Sequence, residues 1–175
     1  GRCCIRTQTD VSQGAGRLAG FLGLNNLIMF YDSNNIQLSS TTDQVTREDT
    51  AKKYEAWGWK VITINGNDQD QIRNALREAM NEKSKPSLII GKTVMGKGAL
   101  TEGGASFEHQ VENHGMPLSK AGGSAVKTII NLGGNPDDPF AVFPLVKEYY
   151  SEIIARKTES AKKKKALGEQ WAKAN

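Results

Sequence analysis

Both histidines of the chain lie in one glycine-rich stretch, which is the first place where chemistry could occur. His109 and His114 are five residues apart, a spacing that does not put two side chains on the same face of a helix. A metal site that adds Glu108 and Glu112 to the two imidazoles is one option. A loop imidazole such as His114 can instead donate a hydrogen bond to a phosphate or a substrate oxygen, or it can be an ordinary surface histidine.

Asp32, Asn34 and Asn35 follow directly after an apolar run and offer a second kind of chemistry. Aspartate and asparagine are common turn formers, so a simple turn accounts for them. Carboxylate, amide and carbonyl oxygens are also the ligands that Mg²⁺ takes, together with phosphate partners. The residues at these positions are consistent with both interpretations.

Gly91-Lys92-Thr93 resembles the end of a phosphate-binding P-loop. That motif requires another glycine five residues before Gly91, but position 86 is a proline and the residues between are mostly apolar. The three residues are therefore interpreted as the end of a strand that leaves a sheet, and a nucleotide triphosphatase is disfavoured.

Three apolar runs predict the strands that must position these residues. They are Leu27–Tyr31, Trp59–Ile64 and the segment PSLIIGKTV that begins at Pro86. Helices are predicted at Ser12–Leu24, at Thr46–Gly58 and over residues 68–82, where one face carries Ile72, Ala75, Leu76 and Met80. Helices and strands that alternate with short links indicate an α/β fold, in which a parallel sheet has helices on both faces.

Ligands of such a sheet bind beyond the carboxyl ends of the strands. This rule selects the stretches Asp32–Ser40, Asn65–Asp68 and Thr93–Pro117. The last of them is a long glycine-rich loop, which we expect to be functional or disordered. After it, the pattern predicts one helix that ends at Gly133 and a long helical stretch over Val142–Ala174.

Charge and composition exclude several classes of protein. The chain has 23 Lys or Arg and 19 Asp or Glu, and the basic excess lies in the last twenty residues. Because a nucleic-acid-binding domain should be basic on its body too, the Lys162–Lys165 run is interpreted as a solvated helix end, with a nucleic-acid or anionic-lipid patch as the alternative.

The adjacent Cys3 and Cys4 exclude a disulfide scaffold. No apolar run reaches the roughly 18 residues of a membrane span, so we expect a cytoplasmic protein without a membrane partner.

Four segments, in this order and at this spacing, resemble the transketolase family of thiamine-diphosphate enzymes. They are YDSNNIQLS, EDTAKKYEAWGWKVITINGND, KPSLIIGKTVMGKG and ENHGMPL, and the resemblance runs from about Val11 to Leu118. It implies the thiamine-diphosphate-binding fold and, within it, the diphosphate-binding domain. It also implies two-carbon ketol transfer between sugar phosphates in the pentose phosphate pathway. The implied enzyme is a homodimer that uses thiamine diphosphate and Mg²⁺, with Ca²⁺ or Mn²⁺ as alternative metals.

The resemblance also implies roles for four residues. Asn34 would offer its side-chain oxygen, and Ile36 its backbone carbonyl, to the metal that bridges the cofactor diphosphate. Met95 would pack near the thiamine. His114 would act as a catalytic and cofactor-binding residue that reaches both the diphosphate and the substrate side of the site.

The start of the chain departs from the family pattern. The family has Gly-Asp-Gly-Cys where this chain has Gly1-Arg2-Cys3-Cys4, so Arg2 stands where a metal-binding aspartate is expected. A cation repels Mg²⁺ and cannot ligate it. We therefore expect residues 1–141 to be a partial diphosphate- and metal-binding domain, truncated at its N-terminus, and residues 142–175 to be a helical linker with a basic tail. We expect the chain to be inactive alone and to bind the cofactor weakly or not at all.

Three alternatives to this interpretation stay open. Dihydroxyacetone synthase and deoxyxylulose-phosphate synthase use related chemistry, although EDTAKKYEAWGW and HGMPL favour transketolase. A non-catalytic or split-subunit α/β module would need a partner chain to complete the site. A nucleic-acid-binding domain that acts through the lysine-rich tail would show strongly salt-dependent binding.

Overall fold

The computed structural model of the protein describes the backbone of residues 10–174 and the side chains of residues 12–174. The predictions made for Arg2, Cys3 and Cys4 lie outside these residues. The chain divides into two compact units, Gly1–Leu132 and Gly133–Asn175. The helices and strands, in chain order, are α1 (Asp10–Phe21), β1 (Ile28–Ser33), α2 (Thr50–Ala56), β2 (Lys60–Asn65), α3 (Gln69–Asn81), β3 (Ser87–Lys92), α4 (Leu118–Ala121), α5 (Ala125–Asn131) and α6 (Pro144–Ala174).

In the described part of the first unit, three strands form one parallel sheet in the order β1-β3-β2. The central strand β3 pairs Ile90 with Tyr31 on one side and with Thr63 on the other. The connection from β2 to β3 runs through α3, which is the βαβ crossover predicted from the sequence. Because all strands run the same way, their carboxyl ends lie at the same edge of the sheet.

Strand β3 is buried along most of its length because other elements cover both of its faces. Leu88 and Ile89 have no exposed surface, and Ile90 is 4% exposed. Leu88 and Ile90 belong to one cluster of buried residues, and Ile89 belongs to a second cluster. A continuous apolar run is the expected sequence of a parallel strand that is covered on both faces.

Aromatic side chains build the core on one face of the sheet. Tyr54 and Trp59 pack edge to face, with ring centroids 5.2 Å apart, against Leu88 and Ile90. The Trp59 Nε1–H donates to the carbonyl of Gly16 at 2.8 Å, which satisfies its buried polar group and fixes α1 to this face. The large apolar surfaces of the two rings stabilise this side of the fold.

Small side chains build the core on the opposite face, where α3 packs against the sheet. Ala75 and Ala79 are buried against Ile89. The predicted apolar face of this helix is only partly buried, because Leu76 is 40% exposed and Met80 is 65% exposed. The alanines let the helix approach the strands closely, whereas the flank that carries Leu76 and Met80 is only partly covered by the described residues.

Helix α2 begins at Thr50, four residues after its predicted start at Thr46, and α3 begins one residue after its predicted start at Asp68. Asp49 caps α2 by accepting a hydrogen bond from the Lys52 amide, and Asp68 caps α3 by accepting from the amides of Asp70 and Gln71. These hydrogen bonds favour the ionised carboxylates and hold the pKa of Asp49 and of Asp68 below the usual range. Gly58 follows α2 with φ of 85°, a conformation that favours glycine.

The single helix predicted up to Gly133 is replaced by two short helices. Helix α4 ends at Ala121 and is followed by Gly122, which has φ of 104°, and α5 begins after Ser124. The Ser124 hydroxyl accepts a hydrogen bond from the Lys127 amide and so caps α5. The prediction was wrong because Gly122 ends one helix and Ser124 caps the next, which the apolar pattern alone does not indicate.

In the second unit, α6 runs for 31 residues and begins with a proline at its first helical position. It has no buried residue, and the lysines at 162–165 are exposed on it. The predicted boundary between residues 141 and 142 stays a prediction. No helix in residues 10–174 is both long and apolar enough to cross a membrane.

Candidate functional site

The loop after β1 carries the first two predicted site residues. Asn34 is buried, and its Oδ1 accepts a hydrogen bond from the Ile36 amide at 3.0 Å. Ile36 is also buried and forms an isolated antiparallel bridge with Thr41. Asn35, between the two, has φ of 65°. The loop is therefore an ordered turn in which the Asn34 side chain fixes the orientation of the Ile36 peptide.

Side chains join β1 and β3 where both strands end. The Lys92 ammonium donates to the Ser33 hydroxyl at 2.9 Å, and the Thr93 hydroxyl donates to the Asp32 carboxylate. Lys92 belongs to a strand, so the P-loop alternative is disfavoured by its conformation. The contact with Thr93 also ties the Asp32 side chain to the residue that follows β3.

The loop after β2 reaches the same edge of the sheet. The Gly66 amide donates to the Lys92 carbonyl at 2.8 Å, and Asn67 Oδ1 accepts from the Val94 amide at 3.0 Å. Gly66 lies so close to β3 that a Cβ built on it would be 2.9 Å from the Gly91 Cα. The structure thus brings together all three stretches that the sequence selected.

The long loop after β3 is not structureless. It folds back on itself as an irregular hairpin, with a bridge between Leu100 and Ser106. The Phe107 amide donates to the Ala99 carbonyl at 2.8 Å, and the His109 amide donates to the Met95 carbonyl at 2.9 Å. His109 has φ of 60° and an exposed side chain, which disfavours the metal site that would combine both histidines.

The turn Met95–Gly98 is fixed by side chains from later in the chain. The Glu108 carboxylate accepts from the Gly98 amide at 2.8 Å, and Asn131 Nδ2 donates to the Gly98 carbonyl at 2.9 Å. Asn113 Nδ2 donates to the Phe107 carbonyl at 2.5 Å and lies against Gly96. Met95, the third predicted site residue, is half-buried in this arrangement.

His114, the fourth predicted residue, follows a short 3₁₀ turn over Val111–Asn113. It is half-buried, and its buried Nδ1 has no hydrogen-bond partner among the described residues. A Cβ built on the next residue, Gly115, would lie 3.4 Å from Leu38 Cδ2. The segment of His114 therefore contacts the loop that carries Asn34 and Ile36.

A cavity of about 490 Å³ opens beside this edge of the sheet. Ser33, Asn35 and Lys92 line it, together with polar and charged residues between Thr42 and Lys53. Lys53 forms an ion pair with Glu48, and burial lowers the pKa of the Lys53 ammonium. The cavity wall thus carries charges of both signs.

The donor atoms of the site are oxygens and one imidazole nitrogen. No group of three or more His, Cys, Asp or Glu side chains within the described residues could hold a metal ion. An amide oxygen has two lone pairs, so Asn34 Oδ1 keeps one after it accepts from Ile36. Oxygen donors of this kind suit a hard cation that also keeps phosphate oxygens as ligands.

Sequence reasoning did not identify the role of the residues that fix the site. Ser33, Lys92 and Asn67 tie the strand ends together, and Glu108 and Asn113 fix the long loop. The strand pattern could have indicated Ser33 and Lys92, because each is the last residue of a strand at the carboxyl edge of the sheet. No sequence signal indicated Asn113, since its contact with Gly96 depends on the path of the loop.

The fold and the site match a known class of protein. A family model described as the thiamine diphosphate binding domain of transketolase matches residues 1–175. Together with the parallel sheet and the loops at its carboxyl edge, this match defines a thiamine-diphosphate-binding α/β domain. The chain belongs to the transketolase family.

Relatives and solved structures agree with this assignment. Transketolase 1 of Saccharomyces cerevisiae is 37% identical over 151 residues, which are 85% of this chain and 21% of that protein. The transketolase of Physarum polycephalum is 35% identical over 170 residues, 96% of this chain and 24% of the relative. A crystal structure of Campylobacter jejuni transketolase has a TM-score of 0.76 at 33% identity and covers 89% of this chain and 24% of its own. The chain therefore spans about a fifth to a quarter of the length of these relatives.

Proposed function

We propose that this chain supplies part of the diphosphate- and metal-binding half of a transketolase site. The activity is two-carbon ketol transfer between sugar phosphates, with thiamine diphosphate and Mg²⁺. A transketolase of Pichia stipitis has been solved in complex with sedoheptulose-7-phosphate, which supports sugar phosphates as the substrate class. The observation that carries the proposal is the contact between the segment of His114 and the loop of Asn34 at the carboxyl edge of a parallel sheet.

The loop after β1 fits the role of a metal-binding element. Asn34 is buried, held in place by the Ile36 amide, and retains an oxygen lone pair. We assign Mg²⁺ to the Asn34 side-chain oxygen and the Ile36 carbonyl. Two protein ligands suit Mg²⁺, which keeps several waters and substrate phosphates in its coordination shell.

The long loop fits the role of the cofactor-binding element. The buried, unpartnered Nδ1 of His114 is the kind of polar group that native proteins rarely leave unsatisfied. We assign His114 to the diphosphate and the substrate side of the site, and Met95 to packing near the thiamine. When bound, the cofactor supplies the stabilised carbanion, and these residues hold and orient it.

The whole enzyme is proposed to be a cytoplasmic homodimer, and this chain alone is proposed to be inactive. The chain spans about a fifth to a quarter of its relatives, so most of a complete transketolase lies outside it. Its isolated affinity for thiamine diphosphate and Mg²⁺ is expected to be weak. A direct test must therefore detect weak binding and locate it.

Heteronuclear NMR with millimolar thiamine diphosphate and Mg²⁺ provides this test. We expect shifts at Asn34, Ile36, Met95 and His114 that require both ligands, and we expect Asn34→Ala to abolish them. Asn26→Ala is the matched control, because Asn26 lies at the opposite edge of the sheet, before β1 begins. Unchanged spectra, or shifts confined to Lys162–Lys165, would contradict the proposal and indicate simple polyanion binding.

The thermal unfolding midpoint gives an independent measure of the same binding. A ligand that binds only the native state must raise the midpoint by mass action. An upward shift that Asn34→Ala removes would support a half-site that still binds the cofactor. A cooperative transition that does not move at any ligand concentration would indicate a folded remnant that does not bind it.

A further inference from the structure

The imidazole of His114 is not held by a hydrogen bond at its buried nitrogen. Nδ1 has no partner among the described residues, and the His114 amide donates only within its own turn, to the Val111 carbonyl at 2.9 Å. With no hydrogen bond at this nitrogen, the position of the ring depends on its packing and on how the turn Val111–Asn113 is fixed to the rest of the loop.

One half of the long loop is fixed without this turn. The His109 amide donates to the Met95 carbonyl, and the Glu108 carboxylate accepts from the Gly98 amide. These two contacts join Glu108 and His109 to the turn Met95–Gly98. They leave the following turn, and with it His114, to be attached by something else.

The side chain of Asn113 makes that attachment. Its Nδ2 donates to the Phe107 carbonyl at 2.5 Å, across six residues of chain. The same carboxamide lies against Gly96, where a Cβ would come within 3.0 Å of the Asn113 Cγ. Gly96 has φ of 63° and no side chain, so it gives the carboxamide the space that it occupies.

We propose that Asn113 is a positioning residue that sets where His114 lies relative to the turn of Met95. Its significance for catalysis rests on the proposed role of His114, but the positioning itself does not. Asn113 binds no cofactor or substrate in this proposal. It acts by holding the turn that ends at His114 against Gly96 and Phe107.

NMR of the full chain without cofactor tests the positioning directly. The chain has only two histidines, so the ring nitrogen and carbon signals of His114 can be assigned with a His109→Gln variant. Asn113→Ala should shift the His114 ring signals and raise hydrogen exchange at the His114 amide on the order of tenfold, since one hydrogen bond is lost. Asn113→Asp keeps the shape but cannot donate to Phe107, so it should have the same effect if the alanine variant folds poorly.

Asn131→Ala is the matched control. Asn131 also donates its Nδ2 to the same loop, but it comes from α5 and this hydrogen bond goes to the Gly98 carbonyl rather than to the turn that ends at His114. The control should leave the His114 signals unchanged. Wild-type signals in both Asn113 variants, or equal shifts in the Asn131 variant, would overturn the proposal.

Titration with thiamine diphosphate and Mg²⁺ then separates this proposal from the proposed function. If the Asn113 variants shift His114 but wild type does not respond to the ligands, the positioning stands and the cofactor role fails. If the Asn113 variants shift His114 and wild type also responds to the ligands, the Asn113 variants should weaken the cofactor-induced shift at His114. Their thermal midpoints without ligand should stay near that of wild type, which distinguishes positioning from a general loss of structure.

Discussion

Strand β3 and the loop that follows it are held in place by different physical means. Residues Ser87–Gly91 are all buried, and side chains of both sheet faces cover the strand. Residues 94–117 contain only one buried residue, Ala99, and they are ordered by hydrogen bonds to Glu108, Asn113 and Asn131. Apolar burial therefore holds the strand in place, whereas polar side-chain hydrogen bonds hold the loop.

We therefore expect the residues of β3 to determine the stability of the fold and the residues of the loop to determine the geometry of the site. Burial of apolar surface is the dominant favourable term in folding, so changes in β3 should reduce the free energy of unfolding of the whole unit. A loop hydrogen bond contributes only about 1 kcal/mol, so changes there should move the site residues while the sheet remains folded. Substitutions of the same type in the two regions can test the separation.

Leu88→Ala should have the largest effect on stability. Leu88 has no exposed surface, and truncation of a fully buried leucine costs about 2–5 kcal/mol through lost transfer energy and the cavity left behind. Chemical denaturation followed by circular dichroism measures this loss. Leu76→Ala makes the same change at a side chain that is 40% exposed, and it should cost less than half as much. Equal losses in the two variants would show that β3 is not the main support.

Gly91→Ala should come next and should act through overpacking. Gly91 lies in β3, and a Cβ there would come within 2.8 Å of Phe30 Cε1 and 3.2 Å of the Gly66 Cα. Overpacking of this kind costs typically about 1–3 kcal/mol, here toward the lower end because Phe30 is partly exposed and can move. Phe30→Leu in the same chain should recover part of the loss in a denaturation experiment. No recovery would mean that the approach of Gly66, rather than the phenyl ring, sets the cost.

Gly96→Ala makes the same substitution in the loop and should have a smaller effect on stability. Gly96 has φ of 63°, and its Cβ would meet the Asn113 carboxamide. A non-glycine residue in this conformation costs roughly 1–2 kcal/mol, and we expect much of it to be relieved by local movement of the loop. The NMR signals of His114 should therefore change more than the thermal midpoint. A loss of stability as large as that of Gly91→Ala would remove the distinction between strand and loop.

The same division explains how much could be predicted from the sequence. The apolar runs of the strands and the apolar periodicity of the helices are local signals, and they identified these elements. Periodicity says which residues share an apolar face but not which of them are covered, so it did not indicate that Leu76 and Met80 stay partly exposed. The contact of Asn113 with Gly96 depends on the path of the loop, which no local pattern describes.

The smallest effect is expected in the connection between α3 and β3, residues 82–86. Like the loop that follows the strand, this connection is held by polar contacts. Glu82 accepts hydrogen bonds from the Ser84 hydroxyl at 2.6 Å and from the Ser84 and Lys83 amides. These bonds favour the carboxylate, with the Ser84 hydroxyl as the largest cause, and they lower the pKa of Glu82 from 4.5 to about 2. A carboxylate whose folded pKa is lowered contributes stability that is fully present above its unfolded pKa.

The free energy of unfolding should therefore fall as the pH is lowered from 4.5 toward 2, in part because of Glu82. Ser84→Ala removes the hydroxyl but keeps both amide bonds, so it should make this decline shallower in denaturation experiments across that range. Glu82→Gln should remove the contribution of this residue entirely. Ser119→Ala, an exposed serine on α4, should leave the decline unchanged. An identical pH dependence in Ser84→Ala and wild type would show that the amides alone hold the carboxylate, and that the hydroxyl adds nothing to the connection into β3.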